Sequence, residues 1–285
     1  MGSGSTTPLA DAGSQSRRAL IVFAVIASWA AAGYWFHMGG NTYLLLGVPL
    51  LLVFQWGIAR RPIAELWFKQ PCGAPLPWWG WLVAGLFMLP SLFLLIHGWG
   101  RFGWIYYIYL LCAAVGAVPL AYSIARFSRS TVRPLQLCFV TAGAFGTMVA
   151  ARIALLKWLH SEFHPSAAVA VVHARSGLLV GVQSFLMYLP IGFIVEEVFF
   201  RGGLDSYLQR PGDRGPWWTA CFLSALWGLW HLPIVPAHSI LGTLVLVMVH
   251  MLIGVPFSLY WRSSGMLFVP AIVHAFIDAV RNALI

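Results

Sequence analysis

Residues 178–201 read LLVGVQSFLMYLPIGFIVEEVFFR, and the reading of this stretch decides the fold. From Leu178 to Phe200 it is long enough for a helix to cross a bilayer, which takes roughly 20 apolar residues. Yet it contains Glu196 and Glu197, with Arg201 just beyond. An ionisable side chain at membrane depth costs at least about 2.5 kcal/mol, so a pair of them asks for a functional reason.

The same apolar pattern recurs along the chain. Segments of similar length run at about 19–36, 42–59, 78–99, 104–125, 135–156, 178–200, 216–232, 240–261 and 265–284. Composition agrees: 60% of residues are hydrophobic, 9% are charged, and the mean hydropathy is +0.81. Soluble domains carry roughly 25% charged residues. A chain this apolar needs lipid as the solvent for the outer faces of its helices. The 15 tryptophans fit, because indole favours the headgroup level. The expected fold is an all-α polytopic transmembrane bundle of eight to nine spans. Residues 1–16 read as a disordered tail, 17–177 as N-terminal transmembrane helices and 178–285 as a C-terminal helical core. The first span, preceded by Arg17 and Arg18, reads as a signal anchor rather than a cleaved signal peptide. Residues 157–177 suit a surface amphipathic helix or a re-entrant piece equally.

The net charge of +9 does not point to nucleic acid, since no basic run is interleaved with aromatics. The basic residues sort by side instead. Arg17, Arg18, Arg60, Arg61, Lys69, Arg126, Arg129, Arg133, Arg210, Arg214 and Arg262 fall at one end of successive spans. Arg101, Arg152, Lys157, Arg175 and Arg281 fall at the other. That bias predicts a cytoplasmic N-terminus, in a bacterial cytoplasmic membrane. Cys72, Cys112, Cys138 and Cys221 form no metal-ligand spacing.

Three apolar segments near the C-terminus carry charge together. Glu197 and Arg201 stand at i and i+4, the favourable order for an ion pair, while Glu196 points about 100° away. His231 lies just before Pro233, which ends its helix. His274 and Asp278 share one helical face. His97 and His250, each alone, read as packed or hydrogen-bonding residues. A Glu with a His can hold and deprotonate a water, and a second His with a polar partner can stabilise an oxyanion. The chain has neither a nucleophile elbow nor a His-Glu-x-x-His motif, which favours activated water over a covalent intermediate.

At these residues the sequence resembles the CAAX prenyl protease and bacteriocin-processing (CPBP, or Abi) family of membrane endopeptidases. The Glu-Glu-x-x-x-Arg motif stands at Glu196-Glu197-Val198-Phe199-Phe200-Arg201. Phe-x-x-x-His appears as Trp227-Gly228-Leu229-Trp230-His231, and His-x-x-x-Asn/Asp as His274-Ala275-Phe276-Ile277-Asp278. The resemblance spans about residues 191–284. It implies an intramembrane protease in which Glu196 activates water with His231, His274 and Asp278 line the oxyanion side, and Glu197 with Arg201 holds the site together. Asp278, where many members have Asn, is expected to orient His274. Trp227 in place of Phe is expected to alter packing rather than chemistry.

The implied substrate is a membrane-anchored, prenylated or leader-bearing polypeptide, and no cofactor is expected. Two alternatives remain. Glu196, His231 and His274 could supply a two-His, one-Glu zinc shell. A transporter or non-catalytic chaperone could use the buried charges as an ion path, although no internal repeat is evident.

Overall fold

The computed structural model describes residues 8–67, 75–98, 100, 103–126, 167–209, 217–235 and 239–284. Their architecture is helical, with no sheet among the described residues. Helix α1 spans Pro8–Trp35. Helix α2, Gly40–Val53, passes into a π-helical turn, Phe54–Ala59, and a short 3-10 turn follows at Ile63–Leu66. Helices α3, Trp78–His97, and α4, Trp104–Ala125, come next. Helix α5, Ala167–Gly192, continues directly as a π-helix, Phe193–Asp205, and a last turn, Ser206–Leu208. Helices α6, Trp217–Trp230, α7, Ile240–Ser264, and α8, Phe268–Leu284, complete the bundle.

The protein is an integral membrane protein. Among the described residues, six helical segments are long and apolar enough to cross a bilayer: Gly13–Trp35, Gly40–Ala59, Trp78–His97, Trp104–Ala125, Gly177–Leu208 and Ile240–Ser264. At 1.5 Å per residue the 14 residues of α6 and the 17 of α8 reach only about 21 and 26 Å. That is short of the roughly 30 Å hydrocarbon core. The expected span at 135–156 lies outside the described residues, as do residues 157–166, whereas residues 167–177 form the first part of α5.

Two boundaries differ from the sequence reading. Helix α1 begins at Pro8, inside the stretch read as a tail. Proline is accommodated in a first turn because its missing N–H has no partner there to lose. The boundary drawn after residue 177 falls within α5, which runs through it unbroken.

Tryptophans mark the ends of helices. Trp78, Trp104 and Trp217 open α3, α4 and α6, Trp35 closes α1, and all four are strongly exposed. This is the aromatic belt expected where indoles meet headgroups. Inside the bundle helices approach through small residues. A Cβ on Gly228 of α6 would lie 2.7 Å from the Val247 Cα of α7, so only glycine permits this packing.

Two features position the site. The first is an aromatic cluster around Trp230, the last residue of α6: Tyr43, Phe199 and Trp29 pack at 5.0, 4.7 and 6.1 Å between ring centroids. It ties α1, α2 and the π-helix to the turn that carries His231. The second lies at the far end of the π-helix. Asp205 pairs with Arg262 at 2.6 Å, and Arg262 also donates to Thr219 Oγ1 at 2.9 Å. Arg61 donates to the Ser206 carbonyl and Arg18 to the Tyr207 carbonyl. Arg262 was placed by sequence in a loop. It is buried instead, because its partner Asp205 is buried with it.

Candidate active site

The π-helix presents Glu196 and Glu197 to different neighbours. In a π-helix the backbone bonds run from i to i+5, a rare geometry that tends to occur at functional sites. Glu196 faces α6 and Glu197 faces α8, and their carboxylates flank the imidazole of His274. His274 Nδ1 lies 2.9 Å from Glu197 Oε1, and Nε2 lies 3.8 Å from Glu196 Oε2. A carboxylate accepts, so His274 donates from Nδ1. The expected Glu197–Arg201 pair forms at 3.6 Å, wider than a hydrogen bond. The guanidinium of Arg201 rests over the Trp227 ring, 4.3 Å from its centroid. Both Glu197 and Arg201 are buried, and the shared ion pair limits the cost of that burial.

His231 follows the end of α6 in a turn. Its Nδ1 lies 2.9 Å from the Trp227 carbonyl, which can only accept, so Nδ1 carries the proton. Nε2 is thereby aimed at Glu196 Oε2, 3.4 Å away. His274 Nε2 also faces Asp278 Oδ2 at 3.8 Å, and Asp278 Oδ1 pairs with Arg281 at 3.0 Å.

All four residues proposed for catalysis, Glu196, His231, His274 and Asp278, line one cavity of about 500 Å³. Its remaining wall is mostly apolar and includes Leu44, Ile191, Val195, Val249 and Ile253. Helices α2 and α4 contribute Asn41 and Tyr109.

Three residues depart from the sequence reading. Trp227 was expected to differ from Phe only in packing. Its indole Nε1 donates to Glu196 Oε2 at 2.8 Å, a contact that Phe cannot make. His250 was grouped with His97 as a packing residue. It does bond its own helix, at the Leu246 carbonyl, but it also lines the cavity with its ring 4.4 Å from that of His231. Arg281 was read only as a charge near a helix end. Its position three residues after Asp278 was the signal available for their pairing.

Residues 178–280 match the family Type II CAAX prenyl endopeptidase Rce1-like. The recognition of the CPBP family from its three motifs holds over this Rce1-like segment, which contains every residue of those motifs. The match supports a membrane peptidase. No curated protein and no solved structure matches the chain. Helices α2 and α4 precede the Rce1-like segment, yet they supply part of its cavity wall.

The zinc alternative can be weighed against this donor set. Glu196 Oε2 faces both imidazoles, but Trp227 Nε1–H already points at that oxygen. An N–H donor aimed at a ligand oxygen competes with a cation for the same lone pairs. Among the described residues no group of three His, Cys, Asp or Glu side chains is arranged to hold a metal ion.

Proposed function

We propose that the protein is an intramembrane endopeptidase that cleaves a lipidated or membrane-associated polypeptide with water activated by Glu196 and His231, without a metal. One observation carries this reading. Glu196 Oε2 and His231 Nε2 stand 3.4 Å apart, inside an apolar cavity that can take a hydrophobic substrate.

The chemistry follows from the atoms that face the cavity. Water held between Glu196 and His231 gives a proton to the carboxylate. Its oxygen attacks the scissile carbonyl carbon, and the carbonyl electrons move onto oxygen. That oxyanion faces His274 Nε2. Because Nδ1–H is committed to Glu197, His274 donates from Nε2 only with both ring nitrogens protonated. The carboxylates of Glu197 and Asp278 balance that charge, which assigns Asp278 an orienting and charge-balancing role rather than a donor role. Collapse re-forms the carbonyl, breaks the C–N bond and returns the proton from Glu196 to the leaving nitrogen. Trp227 fixes the Glu196 carboxylate, and Arg201 holds Glu197.

The substrate class in the family's name suggests the first probe: a farnesylated, internally quenched peptide with a CAAX-type terminus, presented to the protein in proteoliposomes. Cleavage is expected, with loss in Glu196→Ala and His231→Ala and retention in the presence of strong chelators. A Glu196→Ala protein that cleaves as the parent does removes this mechanism. Loss to chelators, restored by zinc, transfers the same three residues to a metal shell.

A further inference from the structure

We infer that Tyr109, on α4, is a further catalytic residue: its hydroxyl donates to the oxyanion the hydrogen bond that Asp278 does not supply. The inference rests on the proposed cleavage by activated water and completes it. A tetrahedral intermediate carries charge on what was the carbonyl oxygen, and preorganised donors around that oxygen usually lower the barrier most. His274 Nε2 is one such donor. Asp278, which balances charge there, is not another.

Most side-chain donors along the cavity wall are already committed. Trp227 Nε1–H donates to Glu196 at 2.8 Å. His231 and His250 each direct Nδ1–H to the carbonyl four residues earlier, at 2.9 and 2.8 Å. Arg281 pairs with Asp278, and Asn41 is exposed at the start of α2. Two tyrosine hydroxyls remain. Tyr188 is partly exposed, whereas Tyr109 is buried at 7% exposure. The Tyr109 hydroxyl hydrogen-bonds to no described residue, yet it is not sealed in the interior as the Tyr43 hydroxyl is. It therefore opens on the cavity that Tyr109 lines, where the carboxylates of Glu196 and Asp278 act on it electrostatically.

Helix packing puts that hydroxyl on the same stretch of backbone as His274. Tyr109, Ala113 and Gly116 share one face of α4, at i, i+4 and i+7. Gly116 lets this face meet α5 closely, since a Cβ there would lie 2.6 Å from the Pro190 carbonyl oxygen. Tyr109 consequently joins a buried cluster with Ala113, Ile191 and Val195, and Val195 directly precedes Glu196. His274 approaches the same stretch from α8: a Cβ on Gly192 would lie 3.9 Å from its Nδ1. A scissile carbonyl turned toward residues 191–196 meets both donors. The Tyr109 O–H keeps its proton throughout, and its hydrogen bond strengthens as charge moves onto the oxygen. A helix outside the Rce1-like segment thereby completes the catalytic set within it.

Tyr109→Phe removes one oxygen and leaves the ring in its cluster. With the farnesylated peptide in proteoliposomes, kcat is expected to fall by about 10²–10³, the loss typical of one oxyanion donor, with KM and unfolding temperature little changed. A second measurement compares binding of two uncleavable peptides to the purified protein. One carries a tetrahedral, anionic phosphinate in place of the scissile amide, and the other a planar ketomethylene. Phosphinate affinity is expected to fall by a factor similar to that in kcat, while ketomethylene affinity holds. The ratio of the two affinities does not depend on the fraction of protein folded, so partial unfolding cannot imitate this result. A kcat within about threefold of the parent, or equal loss of affinity for both peptides, overturns the role of Tyr109 and leaves the protease reading intact. A parent protein that neither cuts the peptide nor distinguishes the two analogues removes the protease reading, and the role of Tyr109 with it.

Discussion

Arg281→Gln tests how an aspartate can serve where an oxyanion has to form. Arg281 Nη1 and Asp278 Oδ1 are 3.0 Å apart. With an effective dielectric of about 20, Coulomb's law gives on the order of 5 kcal/mol at that separation. Arg281 is 47% exposed, however, and solvent screening brings such pairs down toward about 1 kcal/mol. Asp278, at 13%, is much less exposed, so a value of roughly 1–2 kcal/mol is reasonable. If Arg281 acts by turning Asp278 toward His274, that loss appears in the transition state as a fall in kcat/KM of roughly 5- to 30-fold. The assay is peptide cleavage in proteoliposomes by the four proteins of a double-mutant cycle: parent, Arg281→Gln, Asp278→Asn and the double variant. Asparagine carries no charge for Arg281 to balance. Removing the arginine in the Asp278→Asn background should therefore cost less than about threefold, leaving an interaction energy of at least about 0.3–1.4 kcal/mol. Thermal unfolding of the same four proteins separates loss of fold from loss of orientation. Equal effects of Arg281→Gln in the two backgrounds refute the coupling. So does a coupling seen in unfolding temperature with none in kcat/KM.

Two further substitutions probe the neighbouring contacts. Trp227→Phe keeps a ring beneath Arg201 but removes the 2.8 Å donor to Glu196; a hydrogen bond to a charged group is worth about 1.5–3 kcal/mol, so kcat should drop roughly 10- to 150-fold with KM little changed. An unaltered kcat means that the indole N–H does not fix the base. Gly254→Ala places a Cβ 2.6 Å from Ser224 Oγ and 2.8 Å from Arg201 Nη2, and overpacking of this kind costs about 1–3 kcal/mol. A lowered unfolding temperature is expected, with partial recovery on adding Ser224→Gly; no recovery points to Arg201 as the group displaced.

The sequence revealed whatever depends on one segment at a time. The onsets of the third, fourth and eighth apolar segments coincide with the first residues of α3, α4 and α7, because transfer of a run of side chains into lipid is a local sum. The three motifs likewise carry their spacing with them, so Glu196, His231, His274 and Asp278 could be named before their cavity was seen. What stayed hidden depends on a partner far away in the chain. His97 and His250 look alike locally, and each directs Nδ1 to the carbonyl four residues earlier, Phe93 and Leu246 respectively. One is exposed and stacked on Phe93, while the other packs at a tilt against His231. Only the packing of α7 on α6, close because residue 228 is glycine, separates them. Arg262 repeats the lesson with charge. Hydropathy sees a basic residue at the end of a span and puts it in a loop. Asp205, 57 residues earlier, draws it inside. The pair that results ties α7 to the end of the π-helix, so a residue that reads as a topology marker also holds in place the helix that carries Glu196.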